Sequence, residues 1–231
     1  MTRYSTLKAN DWLLFIREAM SSNANFAKAV GMQKYMKGLF SFYGISSPQR
    51  RQLLKELILI HGKPDPIEVR KLAELLWAEE EREMQYAAMD LLGSIKKQLE
   101  PNDLQLIEKL ITTKSWWDTV DLLASHLAGT WLLKFPENKQ KILETWFASE
   151  SMWLQRTVLI HQLLYKTNTN ESILFDYITR LKDSKEFFIR KAIGWALRQY
   201  ARSAPQSVRL FVETTNLSSL SEREATKHLK Q

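Results

Sequence analysis

The segment Lys114-Ser115-Trp116-Trp117-Asp118-Thr119-Val120-Asp121 lies near the middle of this 231-residue chain and reads as the first turns of a helix. Residues four apart share a helix face. Trp117 and Asp121 therefore point together, while Trp116 and Val120 point another way that suits a core. Three other segments can be laid over this one: Glu83-Met84-Gln85-Tyr86-Ala87-Ala88, Trp153-Leu154-Gln155-Arg156-Thr157-Val158 and Phe187-Phe188-Ile189-Arg190-Lys191-Ala192. Taken with Trp116, their starts are 33, 37 and 34 residues apart. Each opens a helix, and another amphipathic helix precedes each. Helix pairs repeating at this period stack in a HEAT-like manner, bury a continuous core and leave a concave surface lined by the second helix of each pair. The fold expected is all-α: HEAT-like helix-pair repeats stacked into an α-solenoid with a basic concave face, as one domain over residues 1–231.

Helix punctuation supports that reading. Ser47-Pro48 can start one helix and Gly62-Lys63-Pro64 end it; Pro66, Pro101 and Pro136 each suit a first helical turn. Asn170 precedes an apolar run, Ser184 precedes Lys185-Glu186-Phe187-Phe188, and Ser221-Glu222-Arg223-Glu224 has the spacing of a capping box. The one β-like run, Leu57-Ile58-Leu59-Ile60, continues the helix begun at Pro48. About a dozen helices joined by short loops are expected.

Composition narrows the chemistry. The absence of Cys removes disulfides and thiolate chemistry, and the 7 Gly form no phosphate-binding loop. His61, His126, His161 and His228 are too far apart for metal-ligand spacing. No apolar stretch is long enough to span a bilayer, and the N-terminal residues are not a signal peptide, so a soluble cytoplasmic protein is expected. The formal charge of +7 is uneven: residues 151–231 carry 13 Lys+Arg against 7 Asp+Glu. A basic C-terminal third suits an anionic partner, nucleic acid first.

Against this background the carboxylates, aromatics and cations of the second helices become the candidates. Asp121 pairs with the outward Trp117. Trp195 has Lys191 and Arg198 on its own face, at −4 and +3, which suits a ring beside phosphates. Arg156 occupies the overlay position of Thr119 and should approach the same side, unless it is a surface charge or a salt bridge that orders the repeat.

Several blocks resemble the AlkD-type DNA glycosylases, the HEAT-like alkylpurine excision enzymes of bacterial DNA repair. They are Tyr35-Met36-Lys37, Ser47 to Lys55, Thr113 to Asp121, Trp153 to Arg156, Ser184 to Trp195 and Arg223 to His228. The resemblance runs from about residue 30 to the C-terminus. It implies that Asp121 is the catalytic carboxylate and that Trp117 and Trp195 wall the site. It implies further that Arg156 contacts the DNA backbone near the lesion and that Tyr35 lies beside the DNA. Lys114, Lys191, Arg198 and Ser47 are expected as further DNA contacts. Ser46 is a departure, since a relative carries a DNA-touching Gln there. The expected activity is hydrolysis of the glycosidic bond of cationic alkylated purines in duplex DNA, by a monomer with no cofactor or metal and no strand cleavage. From the residues alone, a non-catalytic nucleic-acid-binding module and a protein-interaction scaffold remain alternatives.

Overall fold

The computed structural model describes residues 4–228, without the side chain of His228; Met1–Arg3 and residues 229–231 lie outside the described residues. Its contacts divide the chain into two compact units, Met1–Leu99 and Glu100–Gln231. The architecture is all-α and built from helix pairs, as expected; among the described residues there is no strand, only isolated bridges between Tyr4 and Lys63 and between Ser41 and Glu81.

The first unit holds α1 (Ala9–Ser22), α2 (Phe26–Tyr35), α3 (Ser47–His61), α4 (Pro66–Ala78) and α5 (Arg82–Ser94). Trp12, Ile16 and Met20 recur every four residues along α1 and are buried, as are Leu72 and Leu76 of α4, on which α1 packs. Each such side chain contributes about 1.5–3 kcal/mol by leaving water. The link from α2 to α3 is anchored by one carboxylate. Buried Glu83 of α5 accepts the backbone N–H groups of Tyr43, Gly44 and Ile45 at 2.9–3.1 Å. Gly44 is obligatory there: φ is +87°, and a Cβ would sit 2.1 Å from the Asn25 carbonyl oxygen.

The second unit holds α6 (Asp103–Thr112), then one long helix in three parts: α7 (Trp117–Leu122), a π-helical segment (Leu123–Ala128) and α8 (Gly129–Lys134). After it come α9 (Lys139–Ala148), α10 (Met152–Ile160), α11 (Glu171–Leu181), α12 (Phe187–Tyr200), α13 (Pro205–Thr214) and α14 (Ser219–Ala225). The overlaid segments lie at the starts of α5, α7, α10 and α12, and within the second unit α7 packs on α10 and α10 on α12, with α14 packed on α12 beyond them. The large side chains at those starts meet across the repeats. Trp116 lies 5.8 Å from Trp153 and 5.1 Å from Phe188, and Trp153 lies 5.1 Å from Phe188, centroid to centroid. Trp116 is thus half-buried in an aromatic cluster, while Val120 is fully buried.

Local punctuation holds at several ends and shifts at others. Ser46, Asp65 and Asn170 cap α3, α4 and α11 with their side chains, and Pro66 opens α4. Pro101 and Pro136 instead stand in short turns before α6 and α9. The supposed capping box at Ser221 is not one. The cap of α14 is Ser218, and Ser221 lies inside the helix with its hydroxyl donating to the Arg190 carbonyl. A helix packed across its start gives the inner Ser a better acceptor than its own first turn.

Candidate functional site

Trp116 has extended backbone and precedes α7, so Trp117 is the first helical residue and Asp121 follows one turn later. The two share a face, as their spacing demands. Asp118 and Leu122 form a second row beside them. Beyond Leu122 the helix widens into its π-helical turns, and the polar side chains reinforce the loosened backbone: the Ser125 hydroxyl donates to the Asp121 carbonyl at 2.6 Å and that of Thr130 to the His126 carbonyl at 2.7 Å. These rows form one wall of an open cleft of about 390 Å³, lined by Trp117, Asp118, Asp121, Leu122, Ser125 and His126. Leu163 and Leu164, after α10, and Trp195 and Gln199 of α12 line the rest. The structure therefore brings Trp117, Asp121 and Trp195 into a single cleft.

Arg156 of α10 stands behind the carboxylate. Its Nε donates to Oδ1 of Asp121 at 2.7 Å and its Nη2 to Oδ2 at 2.9 Å, while Nη1 donates to the Phe188 carbonyl. All three contacts come from one planar guanidinium, whose fork matches a carboxylate edge. The Asp121 side chain is 19% exposed and that of Arg156 is 5% exposed, so a ligand in the cleft reaches the carboxylate and not the cation. Burial pushes the Asp121 carboxyl above its ordinary pKa, and the hydrogen bonds and charge of Arg156 oppose that rise. Of the roles open to Arg156 in the sequence, the structure shows the salt bridge, which joins α10 to α7; its contact with the DNA backbone belongs to the complex.

Lys191 and Arg198 are also placed differently from expectation. Both turn away to a third helix, where Lys191 Nζ lies 2.8 Å and Arg198 Nη1 2.6 Å from the buried carboxylate of Glu224 on α14, with Lys227 Nζ at 2.8 Å. Sequence spacing puts the two cations near Trp195 but says nothing of an acid 26 to 33 residues onward. The close approach of α14 depends on Gly194, where a Cβ would lie 2.4 Å from Cβ of Glu224. Three cations around one carboxylate still leave this edge positive. Lys114 is half-buried with φ +49° in the turn before α7. In the first unit, Tyr35 is 71% exposed at the end of α2, and Ser47 is exposed at the start of α3, its hydroxyl accepting from Arg50 at 3.4 Å.

His126, Ser125, Leu163, Leu164 and Gln199 are cleft residues that sequence reasoning missed. His126 lies four residues beyond Leu122 and so continues the Asp118–Leu122 row that lines the cleft.

The model of the family described as DNA alkylation repair enzyme matches residues 16–229. The chain belongs to this family. Its role in DNA alkylation repair follows from that membership. A solved structure described as a predicted DNA alkylation repair enzyme from Enterococcus faecalis is 32% identical, with a TM-score of 0.82, over 90% of this chain and 97% of that one. AlkD2 from Streptococcus mutans is 19% identical with a TM-score of 0.58, over 77% of this chain and 88% of its own. The protein smu.31 from Streptococcus mutans UA159 is 19% identical with a TM-score of 0.57, over 75% and 90%. These last two share the helical-repeat fold. No curated protein is similar enough to match. Among the described residues of this family member, no helix is long and apolar enough to cross a membrane.

Proposed function

We propose that the protein is a monofunctional alkylpurine DNA glycosylase, which hydrolyses the glycosidic bond of cationic alkylated purines such as 3-alkyladenine and 7-alkylguanine in duplex DNA. The observation that carries this reading is a carboxylate, Asp121, held edge-on by a buried arginine in a cleft that also presents the indoles of Trp117 and Trp195. An alkyl group on a purine ring nitrogen leaves the base positively charged and its bond to the sugar weakened. The base then departs without a general acid, unlike the leaving groups of two-carboxylate glycosidases. Positive charge builds on the sugar as the bond breaks, and a fixed carboxylate stabilises it. Arg156 sets the carboxylate's orientation from behind, so little reorganisation remains for the moment of reaction. Indole faces favour a nearby cation by about 0.5–2 kcal/mol each. Water attacks the sugar carbon, its proton passes to Asp121 or to solvent, and the base leaves neutral.

Affinity for the duplex we assign to phosphate contacts. Tyr35 and Ser47 lie in a stretch, residues 19–55, that contains Lys28, Lys34, Lys37, Arg50, Arg51 and Lys55 and no Asp or Glu. Lys114 and the positive edge at Lys191, Arg198 and Lys227 supply contacts in the second unit. We take the enzyme to act in the cytoplasm, as a monomer without cofactor or metal.

The test is release of 7-methylguanine from methylated duplex DNA, wild type beside Asp121→Asn. Release should fall at least a hundredfold while duplex binding persists. Because Asn leaves a buried guanidinium short of its counter-charge, the variant should also melt lower; circular dichroism and a binding isotherm identify the folded population. A folded Asp121→Asn that releases base at the wild-type rate would remove Asp121 from the mechanism. A wild type that binds duplex and releases nothing would leave a non-catalytic DNA-binding module.

A further inference from the structure

The cleft continues past the residues that this chemistry uses. Gln199 stands one turn beyond Trp195 on α12 and lines the cleft, as does Leu163. Both also line a neighbouring crevice, together with Lys166 and Thr169 of the turn between α10 and α11. The ammonium of Lys166 and the amide of Gln199 make no ion pair or hydrogen bond among the described residues. Lys166 is exposed and has φ +56°. Among the described residues only three that are not glycine have positive φ, and all are lysines: Lys37, Lys114 and Lys166. Glycine adopts this conformation without strain, whereas any side chain there stands against its backbone preference. The exposed ammonium of Lys166 is thus kept where the backbone favours glycine, which points to a use for its charge.

We propose that Lys166 and Gln199 form a phosphate subsite at the end of the cleft, which takes one phosphodiester of the substrate strand beside the reacting nucleotide. The inference rests on the glycosylase reading, because it anchors the same substrate. That nucleotide is a cation at its base and an anion at its phosphates. Asp118 and Asp121 stand on the α7 wall, which suits the cation and repels phosphate. Donors suited to an anion lie on the rest of the lining, where the Gln199 amide offers its N–H groups and Lys166 adds a full charge beyond it. The crevice of about 10 Å³ is too small to admit a phosphate, so the group rests at its rim, between an amide that fixes its orientation and an ammonium that matches its charge. Holding the phosphate on this side sets the sugar against Asp121 before the bond breaks.

Binding to uncleavable duplexes separates this anchoring from the chemistry of bond cleavage. The probes are duplexes of one sequence with a tetrahydrofuran at the target sugar, each carrying a single neutral methylphosphonate at a different phosphate near it. Wild type should bind about tenfold more weakly when one of the phosphates beside the target is neutralised, as befits a hydrogen bond to a charged group. Lys166→Gly and Gln199→Ala should each bind the unmodified duplex more weakly and lose sensitivity to that same methylphosphonate, with their response to the others unchanged. Lys166→Arg should bind and respond as wild type does. Glycine suits the backbone at 166, so Lys166→Gly should melt no lower than wild type. Equal methylphosphonate losses in wild type and in either variant overturn the proposal, as does wild-type affinity in Lys166→Gly. Base release from methylated duplex DNA by wild type and Asp121→Asn is read separately. Its failure alone condemns the glycosylase reading, whereas a phosphate map that a variant leaves unaltered condemns only the subsite.

Discussion

His161 lies at the end of α10 with no exposed surface. Its Nδ1 donates to the Val158 carbonyl at 2.8 Å, so Nε2 carries a lone pair, and that atom has no partner. Burial, and then the positive charge of Lys139, hold the imidazole down at about 3. The unfolded chain takes up a proton near 6.5, and the folded one refuses it until about pH 3. Stability therefore falls as pH drops from about 6.5 toward 3. Glu224 adds a loss lower down. Lys191, then Lys227, hold its carboxyl at about 2 against an ordinary 4.5, so the stability it contributes is complete above 4.5 and disappears as pH falls toward 2. Replacing His161 with Phe removes the upper effect without emptying the site. The melting temperature of His161→Phe should hold between pH 7 and pH 4 better than that of wild type, by several degrees; parallel declines would show that His161 does not govern acid stability. At this scale the sequence was least informative. Nothing local distinguishes a histidine that must stay neutral from one that lines a cleft, or an arginine bound to a carboxylate 35 residues away from one that meets phosphate.

The helices that hold the site are locked by backbone contact. Tyr165 donates its hydroxyl to the Gly129 carbonyl at 2.7 Å, and a Cβ on Gly129 would lie 2.3 Å from the His161 carbonyl oxygen. Gly129 begins α8, in the long helix that carries Asp121, and His161 ends α10, which carries Arg156. Gly129→Ala must push these two helices apart and strain the Asp121–Arg156 pair. Overpacking of this kind costs about 1–3 kcal/mol. A drop in melting temperature should accompany slower base release, with duplex affinity preserved; an unchanged release rate would mean that the pair tolerates the displacement. Element starts were legible where a cap or a proline acts alone, as at Pro66 and Asn170. They were misread where a neighbouring helix competes for the same hydroxyl, as at Ser221. The π-helical turns of 123–128 leave no mark in hydrophobic periodicity, because both the regular and the widened helix bury Leu123 and Leu127.

For the molecule as a whole, the all-α helix-pair architecture was readable because the repeat spacing and the scarcity of glycine and proline point the same way. The partners of the cations were not readable, because they depend on which helices become neighbours. That distinction has a measurable consequence for DNA affinity. A net charge of +7 makes duplex binding fall with salt, by a logarithmic slope of about −0.9 for each phosphate engaged. Exposed Lys34, in the acid-free stretch of the first unit, should count as one full contact. Lys34→Ala should flatten the slope by about one unit and leave the pH 8 single-turnover rate of bound DNA unchanged. An unaltered slope would move the DNA path away from α2.

The π-helical segment also bears on chain length. Its hydrogen-bonded turns take one residue more than an α-helix needs, so between Asp121 and Gly129 the chain holds a residue that a straight helix could do without. Shortening the segment by one, at Ala124, would let the backbone close into ordinary turns while Trp117 and Asp121 stay where they are. Because the wider turns absorb that residue, the helix beyond the deletion would keep its face while the widening itself is lost. The segment thus makes its own wall of the cleft adjustable by single-residue deletion, a route to an altered cleft shape that leaves the arginine-held carboxylate intact.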